Sequence, residues 1–143
     1  MPNARHILAG KGRTLISTGP DTTALDAARL MNDHHIGSLV VVSEGRLIGI
    51  FTERDVMRRL VAAHRDPAST LVREVMTTPV ACATPDTPTA ELQATMREKR
   101  IRHLPVVEGG RVVGMISIGD LNRVEHEVQE RTILYLEQYM SVA

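Results

Sequence analysis

Residues 19–56, GPDTTALDAARLMNDHHIGSLVVVSEGRLIGIFTERDV, lie without a gap on residues 84–121, TPDTPTAELQATMREKRIRHLPVVEGGRVVGMISIGDL, after a slide of 65 positions. Twelve of the 38 pairs are identical: Pro20/Pro85, Asp21/Asp86, Thr22/Thr87, Met31/Met96, Ile36/Ile101, Leu39/Leu104, Val41/Val106, Val42/Val107, Gly45/Gly110, Arg46/Arg111, Gly49/Gly114 and Asp55/Asp120. Many of the other pairs set apolar against apolar. A repeat fixes architecture before any single motif does. Two copies are too few for a solenoid, so they predict two like halves packed about a pseudo-two-fold axis.

Each half reads β-α-β-β-α, an α/β (α+β) fold. A short strand, residues 14–18 or 80–83, stops at Pro20 or Pro85. An amphipathic helix follows, with Leu25, Ala28, Leu30, Met31 and Ile36 near the helical period in the first copy and Leu92, Met96 and Ile101 in the second. Thr87 then Pro88 reads as an N-cap with proline at the first helical position. Two apolar strands come next, joined at Glu44-Gly45 and at Gly109-Gly110, the second a strong hairpin signal. A second helix starts at Glu53 or Ile118. Residues 66–70 are the clear linker, and residues 71–76 read as a short helix leading into the second half. The expected organisation is a first repeat with its N-terminal segment over residues 1–66, a second repeat over 67–124 and a helical tail over 125–143. In the tail, Leu121, Val124, Val128, Leu136 and Tyr139 fall at helical spacing. That stripe has two open destinations, its own core or a partner subunit.

Composition narrows the function classes. With 143 residues and 43% apolar side chains, the chain can bury a real core. Lys plus Arg and Asp plus Glu stand at 17 each, so no global field draws nucleic acid or an anionic membrane. Two Tyr, one Phe and no Trp leave little for base stacking. Cys82 is alone, which rules out an internal disulfide and fits a reducing cytoplasm. Residues 1–16 lack the apolar run of a signal peptide, and no stretch nears 18 apolar residues.

The chemistry concentrates at Gly49-Ile-Phe-Thr-Glu-Arg-Asp55 and Gly114-Met-Ile-Ser-Ile-Gly-Asp120. Each sets a hydroxyl where a strand meets a helix and an aspartate three residues on. One reading is a capping box. The other uses the same physics for a ligand: a helix N-terminus suits a phosphate, and a carboxylate one turn in can accept ribose hydroxyls. A second feature is Lys99-Arg-Ile-Arg-His103. A helix C-terminus accounts for Lys99 and Arg100. It accounts less well for Arg102 and His103, whose counterparts in the first half are Gly37 and Ser38.

These phrases, together with Glu98-Lys-Arg-Ile-Arg-His-Leu-Pro105, resemble the tandem cystathionine β-synthase (CBS) domain pair, or Bateman module, of small bacterial proteins. The resemblance covers roughly residues 14–124. It implies that the aspartate of Thr/Ser-x-x-Asp holds a ribose and the hydroxyl residue lies near the phosphate. It also implies sites that cross the halves, the first strand of one half holding the adenine. Site one would comprise Thr52, Arg54, Asp55, Val80, Ala81, Arg102 and His103. Site two would comprise Ser117 and Asp120 with Leu15, Ile16 and Ser38, and with Lys11 or Arg13 in place of the missing Arg-His pair. The implied ligand is an adenine nucleotide, AMP foremost, with ADP, ATP or NAD as alternatives. The implied state is a homodimer acting on an unidentified target protein.

No histidine has metal-site spacing. Gly114-x-x-Ser117-x-Gly119 misses the nucleophile elbow by one residue, and no phosphate-loop or dinucleotide glycine motif occurs. Cys82, in an expected buried strand, reads as core rather than nucleophile. Three functions compete at this point. The first is a non-catalytic nucleotide-binding regulatory module. The second is a structural dimer with vestigial sites. The third is an enzyme, for which no nucleophile or acid–base pair presents itself.

Overall fold

Each half is a hairpin flanked by helices. The computed structural model describes residues 2–11 and 15–142, the side chains of the last two excepted. In chain order the elements are α1 (Ala4–Lys11), β1 (Ser17–Thr18), α2 (Ala24–His34), β2 (Ser38–Ser43), β3 (Arg46–Thr52) and α3 (Glu53–Asp55). A π-helical segment over Val56–Val61 continues α3. Then come α4 (Val72–Val75), α5 (Thr89–Lys99), β4 (His103–Glu108), β5 (Arg111–Ser117) and α6 (Ile118–Val142).

The two hairpins repeat each other closely. Both turns have positive φ at two successive residues, 52° and 78° at Glu44 and Gly45, 61° and 81° at Gly109 and Gly110. That is the type I′ pattern, whose twist matches a two-residue hairpin. Register slips by one residue at Val41/Val42 and again at Val106/Val107. The halves meet through their equivalent strands, β3 against β5. Arg111 lies over Gly45 and Arg46 over Gly110. Such reciprocal contacts are what a two-fold relation between like parts requires.

The first strands differ from expectation. β1 is two residues long, pairing parallel with Val40 and Val41 of β2, and residue 14 lies outside the described residues. In the second half, residues 80–83 form only one parallel bridge, Ala83 to Val106. Its two bonds are Ala83 N–H to the Pro105 carbonyl and Val107 N–H to the Ala83 carbonyl, both 2.8 Å. The next ladder bond would need an N–H at Pro105, which proline lacks; Val40 supplies it in the first half. Cys82 is consequently exposed rather than buried in a strand.

Each half closes with a helix from elsewhere. Ala24, Ala27 and Met31 of α2 pack with Leu39, Val41 and Phe51, and α4 adds Val72 and Val75 to this first core. The second core joins Leu92 and Met96 of α5 to Leu104, Val106, Ile116 and Leu121, and α1 adds Ala4 and Ile7. Helix α1 was not expected from the sequence, and it completes the distant half. On α2 the buried stripe is rotated by one residue: Ala24 and Ala27 are buried, whereas Leu25 and Ala28 are half-buried. Pro88, not Thr87, is the N-cap of α5, and Thr87 Oγ1 accepts from the Thr84 amide instead. In the first half Thr23 Oγ1 does cap, accepting from Asp26 N–H at 3.1 Å. In the linker, Thr70 Oγ1 donates to the Asp66 carbonyl at 2.7 Å.

The second helix of the second half and the tail are one helix, α6. Leu121 enters the core and Val124 packs against it. Beyond Val124 the stripe does not lie on its own core: Ile133, Leu134, Tyr135, Leu136, Tyr139 and Met140 are all exposed. Among the described residues no helix is long and apolar enough to cross a membrane.

Phe51 is fully buried at the centre of the first core. Phe51→Ala removes its transfer energy and leaves a cavity, so it should destabilise by about 3–5 kcal/mol. A fall in the urea midpoint at unchanged slope checks this.

Candidate functional site

Both hydroxyl–aspartate pairs are capping boxes. Thr52 has extended backbone (φ −125°, ψ 165°), as an N-cap should. The Asp55 amide donates to Thr52 Oγ1 at 3.2 Å, and the Thr52 amide donates to Asp55 Oδ2 at 3.0 Å. The same exchange joins Ser117 and Asp120, at 3.1 and 2.8 Å. The carboxylates also reach further. Asp55 Oδ1 accepts from Thr77 Oγ1 at 2.9 Å, and Thr52 Oγ1 lies 3.2 Å from Oδ2. A carboxylate has about four acceptor positions. Three are taken at Asp55, so a ribose gains a second bond there only if a threonine hydroxyl turns away.

Asp55 opens on a cleft of about 820 Å³ between the halves. All seven residues expected in site one line it: Thr52, Arg54 and Asp55 from the first half, Val80 and Ala81 from the connector, Arg102 and His103 from the second. Ile50, Pro79, Val80, Ala81 and Ile101 give it apolar wall, enough for a flat base. Five cationic side chains, Arg54, Arg58, Arg59, Lys99 and Arg102, face two carboxylates, Glu53 and Asp55. In a chain of zero net charge this is a local positive excess. Two of the cations are committed. Arg54 donates to the Arg100 carbonyl at 2.9 Å, capping α5, and Arg59 donates to the Met76 carbonyl at 2.6 Å, capping α4. The side chains of Arg58, Lys99 and Arg102 make no hydrogen bond or salt bridge with a described residue.

The sequence reading missed Arg58, Arg59 and Thr77. The first two sit three and four residues after Asp55, one helical turn on, and that spacing was the available signal. The π-helical turn carries them; its i→i+5 bonds run from Ala62 to Met57 and from Arg65 to Leu60, both 2.9 Å. Such turns recur at functional sites. Thr77 had no sequence signal, because only folding brings it to Asp55.

Site two is arranged differently. Ile16 packs into the first core, Leu15 is half-buried, Ser38 is buried at the start of β2 opposite Thr52, and Arg13 lies outside the described residues. Asp120 instead meets Lys11, whose ammonium lies 2.8 Å from Oδ2 and donates to the Met115 carbonyl at 2.6 Å. Arg123 holds the other oxygen at 2.6 Å. Burial pushes the Asp120 carboxyl up, but the Lys11 bond and the Ser117 amide outweigh it and leave the group below the ordinary carboxylate range.

His103 lies between the two places. Burial pushes its imidazole below the ordinary histidine value; Glu53 and Asp120 oppose this, while Lys11 and Arg102 reinforce it. The unfolded chain therefore takes up a proton at this residue before the folded chain does. Stability follows the state that binds fewer protons as pH rises, so this contribution is fully present above about pH 6.5 and is lost as pH falls from there through the lower folded value. The melting temperature should drop between pH 7 and pH 5, and His103→Gln should flatten part of that drop. An unchanged pH slope in the variant counts against the assignment.

Comparison with known proteins matches this geometry. The family model described as CBS domain matches twice, over residues 12–62 and 72–127. A mitochondrial CBS domain-containing protein of Arabidopsis thaliana, CBSX3, is 40% identical over 116 residues; the match covers 77% of this chain and 56% of that protein. A CBS-domain protein from Burkholderia ambifaria superposes with a TM-score of 0.82 at 40% identity, covering 86% of this chain and 93% of that one. The CBS domain pair of MJ0100, solved in complex with 5′-methylthioadenosine and S-adenosyl-L-methionine, superposes with a TM-score of 0.79 at 26% identity, covering 89% and 98%.

Proposed function

The chain belongs to the CBS domain family as a tandem pair, and on that premise we propose that it is a non-catalytic regulatory module that binds an adenine nucleotide in the cleft at Asp55. AMP is the favoured ligand, with ADP, ATP or NAD in the same chemical class. The carrying observation is the cleft itself: a buried carboxylate at one side, apolar wall at another, and unpaired Arg58, Lys99 and Arg102 around it. Like charges held together repel, and a phosphate relieves that repulsion. The complex of MJ0100 with two adenosine compounds supports an adenosine ligand on this fold. In this reading Asp55 accepts from the ribose, Val80 and Ala81 flank the adenine, and Arg102 with its cationic neighbours faces the phosphate.

A capping box alone would suit a structural module with vestigial sites. The unpaired cations favour the ligand reading, because a purely structural surface gains nothing by clustering them. We further propose a homodimer, in which the exposed apolar residues of α6 between Val128 and Met140 are covered by a second copy. Sedimentation at micromolar concentration should give twice the chain mass; a monomer rejects this.

AMP at 100 times its Kd should stabilise the fold by about 2.7 kcal/mol, seen as a raised melting temperature. No shift with AMP, ADP, ATP, NAD or S-adenosylmethionine favours the vestigial reading. A charge-assisted bond to phosphate contributes about 1.5–3 kcal/mol. Arg102→Ala should therefore weaken AMP about 10- to 150-fold and adenosine much less. Asp55→Ala should weaken both. Calorimetry with the two ligands distinguishes these outcomes, and equal losses for AMP and adenosine in Arg102→Ala would sink the phosphate role.

A further inference from the structure

We propose that Lys11 is a built-in occupant of the second aspartate position, so that each protomer offers one open nucleotide site and closes the other with its own N-terminal helix. The proposal rests on the nucleotide reading of the first cleft.

Residues 2–8 repeat the contacts of residues 70–76, but with a slide of 68 rather than 65. The Ala4 amide donates to the Thr87 carbonyl at 2.9 Å as the Val72 amide does to Thr22 at 2.8 Å. Arg5 pairs with Asp86 as Arg73 pairs with Asp21. Leu8 fills the space over Gly114 as Met76 fills that over Gly49; neither glycine has room for a Cβ. Helix α1 is thus the counterpart of α4 on the other half.

The two segments part at the next residue. After Met76 the backbone turns extended (ψ 159°), and Thr77 brings a neutral hydroxyl to Asp55. After Leu8 the helix runs on for three residues, and Lys11 brings an ammonium to Asp120 and to the Met115 carbonyl. Those three residues are the difference between the two slides. The consequence is chemical. A ribose hydroxyl can replace a threonine hydroxyl like for like. Replacing an ammonium on a carboxylate that is only 5% exposed exchanges an ion pair for a hydrogen bond from a neutral donor. It also takes a buried ion pair apart, although Arg123 stays on Asp120.

The experiment is AMP titration by calorimetry on the full chain, counting sites per protomer. The wild type should bind one AMP, lost in Asp55→Ala. Lys11→Ala should bind two, and Lys11→Ala with Asp120→Asn should return to one. Lys11→Met keeps the aliphatic stem and loses only the ammonium; it should behave as Lys11→Ala and keeps the test valid if the smaller residue unfolds α1. Two sites in the wild type overturn the proposal and leave the proposed function standing. One site in both Lys11 variants also overturns it. No binding by wild type or variants overturns both readings. Binding that appears only with Lys11 removed and needs Asp120 supports the occupied second position while overturning the assignment at Asp55.

Discussion

In both halves a strand hands over to a helix through one carboxylate, Asp55 or Asp120, placed a turn beyond a hydroxyl residue. The exchange of bonds between Thr52 and Asp55, and between Ser117 and Asp120, satisfies amides that the helix start leaves open. It also holds a charged group at under a tenth of its full exposure. A buried carboxylate must be bonded or paired. How each half meets that requirement beyond the box sets its character: each aspartate has an arginine one turn on, Arg59 at 3.8 Å and Arg123 at 2.6 Å, but Asp55 adds a threonine hydroxyl and faces a cleft, whereas Asp120 adds a lysine.

The cleft exists because the halves are assembled crosswise. The short helices α4 and α1 each complete the core of the half they do not lead into by sequence. That crossing draws the connector with Thr77, Val80 and Ala81 over the end of β3. It sets Lys99 and Arg102 of the second half opposite Arg54 and Arg58 of the first. Both halves contribute to the positive excess, Lys99 and Arg102 from the second adding to the three arginines of the first. Two of the cations are also structural, since Arg54 and Arg59 cap the C-termini of α5 and α4, and Arg54 in doing so ties the first half to the second.

Legibility followed the length scale of each interaction. The hairpins, their turns and the box were readable because their partners are a few residues apart, where backbone sterics and capping act. Site one was reached through the family resemblance, which carries long-range pairing that spacing cannot. Thr77 was not readable as a partner of Asp55, and Lys11, expected beside Asp120 as a cation for a phosphate, was not readable as the direct partner of that carboxylate. They approach from 22 and more than 100 residues away, and nothing local marks them. Cys82 was misplaced for a similar reason: the proline that shortens its strand stands in the neighbouring strand, not beside it.

The sequence by itself determined the duplication, the helix–hairpin–helix order within each half, the neutral overall charge and the presence of a hydroxyl–aspartate pair at each strand end, because all of these reside in local pattern or simple composition. Tertiary structure alone decided that the two pairs are unlike. One extra helical turn before the first half carries a lysine across the molecule onto Asp120, while the matching chain before the second half ends its helix early and leaves Asp55 facing the cleft. Helix length near a chain terminus depends on what the helix packs against. For α1 that support is the core of the second half, most of a chain length away.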